Sequence, residues 1–211
     1  GWGTGSSRQA RFARSREVTG GGDAWGDGKG VTINYQDNVA HNAESAEDKR
    51  RRAIYMQLND HYDYIATEKD GYTYLIVSRD EKGNQVEGYS PTLSSLKKHI
   101  IGGIEDHGYV ISNQDSPFDI YFLRLADVYL LYAEAMLGSQ ASISGGPGYD
   151  AYLAVRARAG LNPPADGNMT YEDLFNERRV EFGLEAQGWL DIKRRYYRNA
   201  EETLAYLNGQ N

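Results

Sequence analysis

Glu177 and Glu181 stand one helical turn apart in Glu177-Arg178-Arg179-Val180-Glu181, and glycoside hydrolysis is carried out by paired carboxylates. In that chemistry one acid protonates the leaving oxygen while the other acts as nucleophile or base. Here the acids alternate with Arg178 and Arg179, which would pair with them and keep both ionised. A paired, ionised carboxylate has no proton to donate, so the spacing reads first as an ion-pair scaffold and second as a hydrolase. A further charged set precedes it. Arg124, Asp127 and Glu134 fall at i, i+3 and i+10 on one helical stripe inside an apolar run. Two carboxylates and a guanidinium among apolar residues require partners from elsewhere, and Arg156, Arg158 and the 177–181 segment are the charges available.

Aromatic residues are the other candidates. Trp and Tyr combine a flat apolar face with a polar edge, which suits stacking on the C–H faces of sugar rings. Trp2, Trp25 and Tyr35 lie in glycine-rich or loop-like sequence, where binding residues concentrate. The competing reading is that these rings pin an irregular segment to a core. Other motifs fail. Residues 26–30 (Gly-Asp-Gly-Lys-Gly) lack the first Gly and the Ser or Thr of a phosphate loop. His61 and Asp63 are a two-residue set without a companion at metal-ligand spacing, so a solvated histidine is expected. Asn168-Met169-Thr170 is a formal glycosylation sequon, but Thr170 is better explained as a helix cap. No cofactor is expected.

Composition narrows the classes further. The 211 residues carry 23 Lys+Arg against 30 Asp+Glu, a formal net charge of −7, which argues against nonspecific nucleic-acid binding. With no cysteine, disulfides, thiolate metal sites and Cys nucleophiles are excluded within these residues. Tyrosine (17) outnumbers phenylalanine (5) more than threefold.

The elements that must position these residues divide at about Pro117. Residues 1–116 read as a glycine-rich irregular segment with short strands and candidate ligand-binding loops. Within it the pattern predicts a short helix over 8–16 and a strand over 31–35. A helical turn is expected near 49–52, and a strand over 72–77 that turns at 81–84 and returns over 85–89. Residues 117–211 read as helical. The run 120–137 has no Gly or Pro and is apolar nearly all round, which predicts a buried helix with Tyr121, Tyr129 and Tyr132 in the core. Arg124, Asp127 and Glu134 exclude a transmembrane reading. Further helices are expected over 149–159, closed by Gly160, and from a Thr170 cap to about Gln187. Two more are expected over 189–195, with Trp189 structural, and over 201–207. The fold class is therefore mainly α with an irregular, partly β first half.

Three segments carry a resemblance. Residues 123–135 (Leu-Arg-Leu-Ala-Asp-Val-Tyr-Leu-Leu-Tyr-Ala-Glu-Ala) resemble the Arg-x-Ala-Asp helix, ending in Ala-Glu-Ala, of the SusD/RagB family of outer-membrane nutrient-binding lipoproteins. Residues 155–161 (Val-Arg-Ala-Arg-Ala-Gly-Leu) are similar to the family's next helix. Glu177-Arg178-Arg179-Val180-Glu181-Phe182, with Glu185, Trp189, Asp191, Lys193 and Arg194, is similar to its third block. Asp48-Lys49-Arg50 resembles an earlier Asp-x-Arg.

The resemblance implies the C-terminal part of a longer SusD-like protein, or a truncated or divergent relative. It implies a surface-exposed protein of the outer membrane, held by a lipid anchor outside these residues. Such a protein binds an oligo- or polysaccharide without catalysis and passes it to a TonB-dependent, SusC-like transporter. It further implies that the charged motifs hold the fold together while ligand contacts come from loops. A helical interaction lid without glycan affinity is the alternative, and a glycoside hydrolase the remote one.

Overall fold

A computed structural model describes residues 31–43, 48–57, 59–62, 72–73, 77–79, 85–87, 94–98 and 121–209. The described residues are mainly α-helical, with seven helices and four two-stranded antiparallel pairings. The chain divides into two compact units, residues 1–37 with 51–120, and residues 38–50 with 121–211.

The first helix among the described residues, α1 (Ile33–Ala43), starts where a strand over 31–35 was expected. The β-branched Val31, Thr32 and Ile33 favour a strand locally, but Thr32 caps the helix instead. Its hydroxyl accepts from the Tyr35 backbone N–H at 3.1 Å, and its carbonyl accepts from Gln36 N at 3.1 Å. No Gly or Pro then interrupts the chain before Ala43. Capping and an unbroken run outweigh strand propensity, which is a weak prior. α2 (Lys49–Ile54) falls at the expected basic turn.

In the first unit, β1 (Tyr55–Gln57) pairs with β6 (Ser94–Leu96), and β2 (His61–Tyr62) with β3 (Tyr72–Thr73). β4 (Val77–Arg79) pairs with β5 (Gln85–Glu87), Val77 opposite Glu87 and Arg79 opposite Gln85, so residues 85–87 do return as a hairpin arm, while the start of the expected first arm, β3, pairs with β2 instead. Val31, Ile54, Tyr55, Met56 and Tyr62 are buried here. The Tyr62 ring lies under two cations, Arg52 and Lys97, each 4.9 Å from its centroid.

The second unit holds α3 (Leu125–Leu137), α4 (Pro147–Ala159), α5 (Tyr171–Glu181), α6 (Gly188–Arg198) and α7 (Ala200–Asn208). A short antiparallel pair, β7 (Ser142–Ile143) with β8 (Met169–Thr170), ties the entry of α4 to the entry of α5. The apolar core gathers Leu130, Ala133 and Leu137 of α3, Tyr152 and Val155 of α4, Leu174 of α5, and Met169 and Phe182 beside them. α4 approaches α3 closely because Gly148 lacks a side chain. A Cβ there would lie 2.4 Å from the Met136 Cβ. Gly160 closes α4 in the left-handed conformation, φ 84°, as expected of a C-cap glycine.

Thr170 begins α5 with a reciprocal cap. Its hydroxyl accepts from the Asp173 N–H at 3.2 Å, and the Asp173 carboxylate accepts from the Thr170 N–H at 2.8 Å. α5 ends at Glu181, short of Gln187, because Leu184 and Ala186 adopt φ of 67° and 62° and turn the chain into α6.

The expectation for 120–137 needs a larger correction. The helix starts at Leu125, and the preceding Arg124 is extended. Nor is it buried on all sides. Tyr121, Tyr129 and Tyr132 are exposed rather than in the core, and Trp189 is 62 % exposed. Hydrophobicity alone could not tell a face covered within the unit from one left open.

Candidate functional site

The second unit buries a network of charged side chains. Glu177 and Glu181 lie on the buried face of α5, one turn apart, and Arg50 reaches both with the same nitrogen. Arg50 NH1 donates to Glu177 Oε1 at 2.6 Å and to Glu181 Oε2 at 2.9 Å. Its remaining nitrogens are held by Asp48, Nε to Oδ1 at 2.9 Å and NH2 to Oδ2 at 2.7 Å. Glu177 Oε2 accepts from Arg156 NH1 at 3.1 Å, and the Arg156 Nε donates to the Asn162 carbonyl at 2.9 Å. Glu181 Oε1 accepts from both Arg124 and Arg158. Arg124 also forms a two-pronged pair with Glu185, at 2.7 and 2.8 Å, and lies 4.5 Å over the Phe182 ring.

A second cluster adjoins it. Arg178 donates Nε to Asp191 Oδ1 at 2.9 Å, and its NH1 lies 2.7 Å from Asp127 Oδ1 in a close ion pair. Arg194 bridges Asp191 at 2.7 Å and Glu134 at 3.2 Å. Arg178 therefore does not pair with Glu177 and Glu181 as the sequence alternation implied. Consecutive helix residues point 100° apart, so Arg178 faces α3 and α6 while the two glutamates face Arg50, Arg156 and Arg124. Arg195 completes the set, paired with Glu172 at 2.6 Å and stacked on Phe175 at 4.6 Å.

Electrostatics hold the charges of Glu181 and Arg50. Burial by itself would raise the Glu181 carboxyl, but hydrogen bonds from Arg124 and Arg50 outweigh it and hold its pKa below the usual value. Burial would likewise weaken the Arg50 charge, and the bonds to Asp48 with the field of Glu177 raise its pKa instead. As chemistry, the arrangement leaves neither carboxylate open to a substrate. Glu177 is fully buried, and both carboxylates are occupied by guanidinium groups. The pair that resembles a hydrolase dyad is a structural clamp.

Tyr35 belongs to the first unit, on α1. It is half-buried, and its ring meets Tyr55 edge-on with centroids 6.3 Å apart. Trp2 and Trp25 lie outside the described residues. His61 is exposed on β2. Among the described residues there is no cluster of three or more His, Cys, Asp or Glu placed to hold a metal ion, and no helix long and apolar enough to cross a membrane.

Several residues of the clusters carried no role in the sequence reading. Asp48 and Arg50 were visible only as an Asp-x-Arg, and Glu185, Asp191 and Arg194 only as members of a motif block. Arg50 lies 127 residues from Glu177, a separation that no helical periodicity reaches.

The SusD family model matches residues 18–211. The chain belongs to the SusD family. A SusD-like protein of Bacteroides ovatus is 36 % identical over 200 residues, which is 94 % of this chain and 33 % of that protein. Two solved crystal structures superpose with a TM-score of 0.74 at 33 % identity, covering 97 % of this chain and 36 % and 37 % of theirs. One of them was determined with xylogluco-oligosaccharide. This SusD-family chain spans about a third of the length of the relatives it matches.

Proposed function

We propose that the chain contributes to a non-catalytic glycan-binding protein of the outer-membrane surface. It takes up an oligo- or polysaccharide and presents it to a TonB-dependent, SusC-like transporter, and a lipid anchor outside these residues attaches it to the membrane. The observation that carries this reading is the similar structure with xylogluco-oligosaccharide, at 33 % identity and TM-score 0.74. The buried clamp supports it from the other side, because the one carboxylate pair suggestive of hydrolysis is sealed by arginines.

Aromatic stacking supplies the grip in this proposal, with Trp2, Trp25 and Tyr35 as the contact residues. Isothermal titration against xylogluco-oligosaccharide and a panel of plant, host and microbial glycans tests it. Saturable binding to at least one glycan, with no release of reducing ends, is expected. Absence of binding across the panel would defeat the reading. Co-purification with the transporter tests the second half separately.

A further inference from the structure

The chain passes from one compact unit to the other three times, after residues 37, 50 and 120. Each time, residues on the second unit's side of the crossing are fastened to the same helix, α5, or to the turn that follows it. Asn38 donates to the Asn176 side-chain oxygen at 3.2 Å. Arg50 NH1 donates to Glu177 at 2.6 Å and to Glu181 Oε2 at 2.9 Å. Arg124, just beyond the third crossing, donates to Glu181 Oε1 and to both oxygens of Glu185. All of these bonds lie inside the second unit.

Two of the crossings fall within helices. α1 has residues 33–37 in the first unit and 38–43 in the second, and α2 passes over after Arg50. A helix bonds its backbone within itself, so fixing one residue fixes the direction of the turn beside it. Asn38 lies one turn from Tyr35, and Arg50 one turn from Ile54. The third crossing leads into extended backbone, with Arg124 at φ −134° and ψ 163°, and side chains must hold it. Glu181 serves the second and third crossings together, one carboxylate oxygen to each arginine. The apolar cluster of the second unit includes no residue of 38–50, and the bonds described from that segment to α5 are polar.

We infer that α5 is the common anchor of the three connections, and that Glu181 is a positioning residue for the first unit. Glu181 is buried and does not itself meet a sugar. On the glycan-binding reading above, on which this consequence rests, its loss weakens binding by loosening the connections to the part of the chain that carries Trp2, Trp25 and Tyr35.

The test is amide hydrogen exchange of the 211-residue chain, followed by NMR, with glycan titration of the same proteins. Glu181→Gln should raise exchange at residues 53–57 roughly tenfold beyond any rise common to the whole second unit. Asn38→Ala should raise it at 35–37 and leave 53–57 unchanged. Gly148→Ala is the control, because it strains the packing of α4 on α3 away from the crossings. It should raise neither stretch in this selective way. Affinity for the best-binding glycan, measured where the variants are folded, should fall about fivefold in Glu181→Gln and stay within about twofold in Gly148→Ala. Unchanged exchange at both stretches, or the same rise in Gly148→Ala, would overturn the anchor. Raised exchange with unchanged affinity would overturn the positioning role. A wild-type chain that binds no glycan defeats the proposed function and the positioning role with it, and exchange alone then decides the anchor. If Glu181→Gln does not fold, Asn38→Ala decides in its place, by a selective rise at 35–37 or its absence.

Discussion

Arg50 places a single guanidinium nitrogen between Glu177 and Glu181, 2.6 Å from one and 2.9 Å from the other, across 127 and 131 residues of sequence. With Asp48 on its other nitrogens, this arginine closes residues 48–50 onto α5. Removing one partner of a buried ionic group strands the others, and such losses run to about 3–5 kcal/mol. Arg50→Met should therefore lower the free energy of unfolding in urea by that order. Arg50→Lys should fall between, because one ammonium cannot serve three carboxylates. A loss under about 1 kcal/mol for Arg50→Met would show that the clamp is dispensable.

Acid should loosen the same clamp. The folded-state pKa of Glu181 lies below its ordinary value of 4.5, so the stability it contributes is present above about that pH. It is lost as pH falls through the lower folded value. Asp60, held down by Arg51, acts in the same sense in the first unit. The melting temperature should stay level from pH 7 to pH 5 and then decline. Glu181→Gln should lower it at pH 7 and flatten the decline. Parallel acid limbs for the two proteins would remove Glu181 from the account.

Much of the helical unit was legible because its signals are local. Thr170 with Asp173, Gly160 after α4, and the unbroken run into Leu137 each act within four residues of their effect. The network was legible in part of its membership and less so in its pairing. Which arginine meets which glutamate depends on three helices and on residues 48–50 meeting in space, so Arg178 was matched to the wrong acids. The open face of α3 was illegible for a related reason. Leu130 and Leu131 are equally apolar, and only the placement of α4 and α5 decides that the first is buried and the second exposed. The strand expected over 31–35 was a separate error: the segment is β-branched, and one hydroxyl cap at Thr32 accompanies a helix instead.

The contact of Gly148 with Met136 gives a packing prediction. A methyl group at 148 would sit 2.4 Å from the Met136 Cβ, so α4 must shift away from α3 or the backbone must strain. Overpacking of this kind typically costs about 1–3 kcal/mol. Gly148→Ala should destabilise by that order in chemical denaturation. Met136→Gly, although unfavourable in a helix, should make the second substitution less harmful when the two are combined. Additive effects would show that the two sites do not meet.

Thr170→Ala tests the cap of α5, the helix that carries both glutamates. The substitution removes the hydroxyl that accepts from the Asp173 N–H and leaves the Asp173 carboxylate with only the backbone donor. A loss of about 1 kcal/mol is expected, and Thr170→Ser should recover most of it. Equal losses for Ala and Ser would mean that the methyl group, not the cap, is what matters.

Tyr35 separates binding from packing most directly. Its ring meets Tyr55 edge-on, so part of the ring supports the first unit whatever it does to a ligand. Tyr35→Phe keeps that contact and the stacking face, and removes only the hydroxyl. Tyr35→Ala removes all three. If the ring stacks on sugar, Phe should hold the affinity for the best-binding glycan within about twofold, and Ala should weaken it roughly tenfold, about 1.4 kcal/mol. Trp25→Ala should weaken binding by a similar factor. Melting curves of the same proteins distinguish the cases. Affinity lost in step with stability, and recovered at lower temperature where the variant is folded, would assign Tyr35 to the core and leave the grip to other residues.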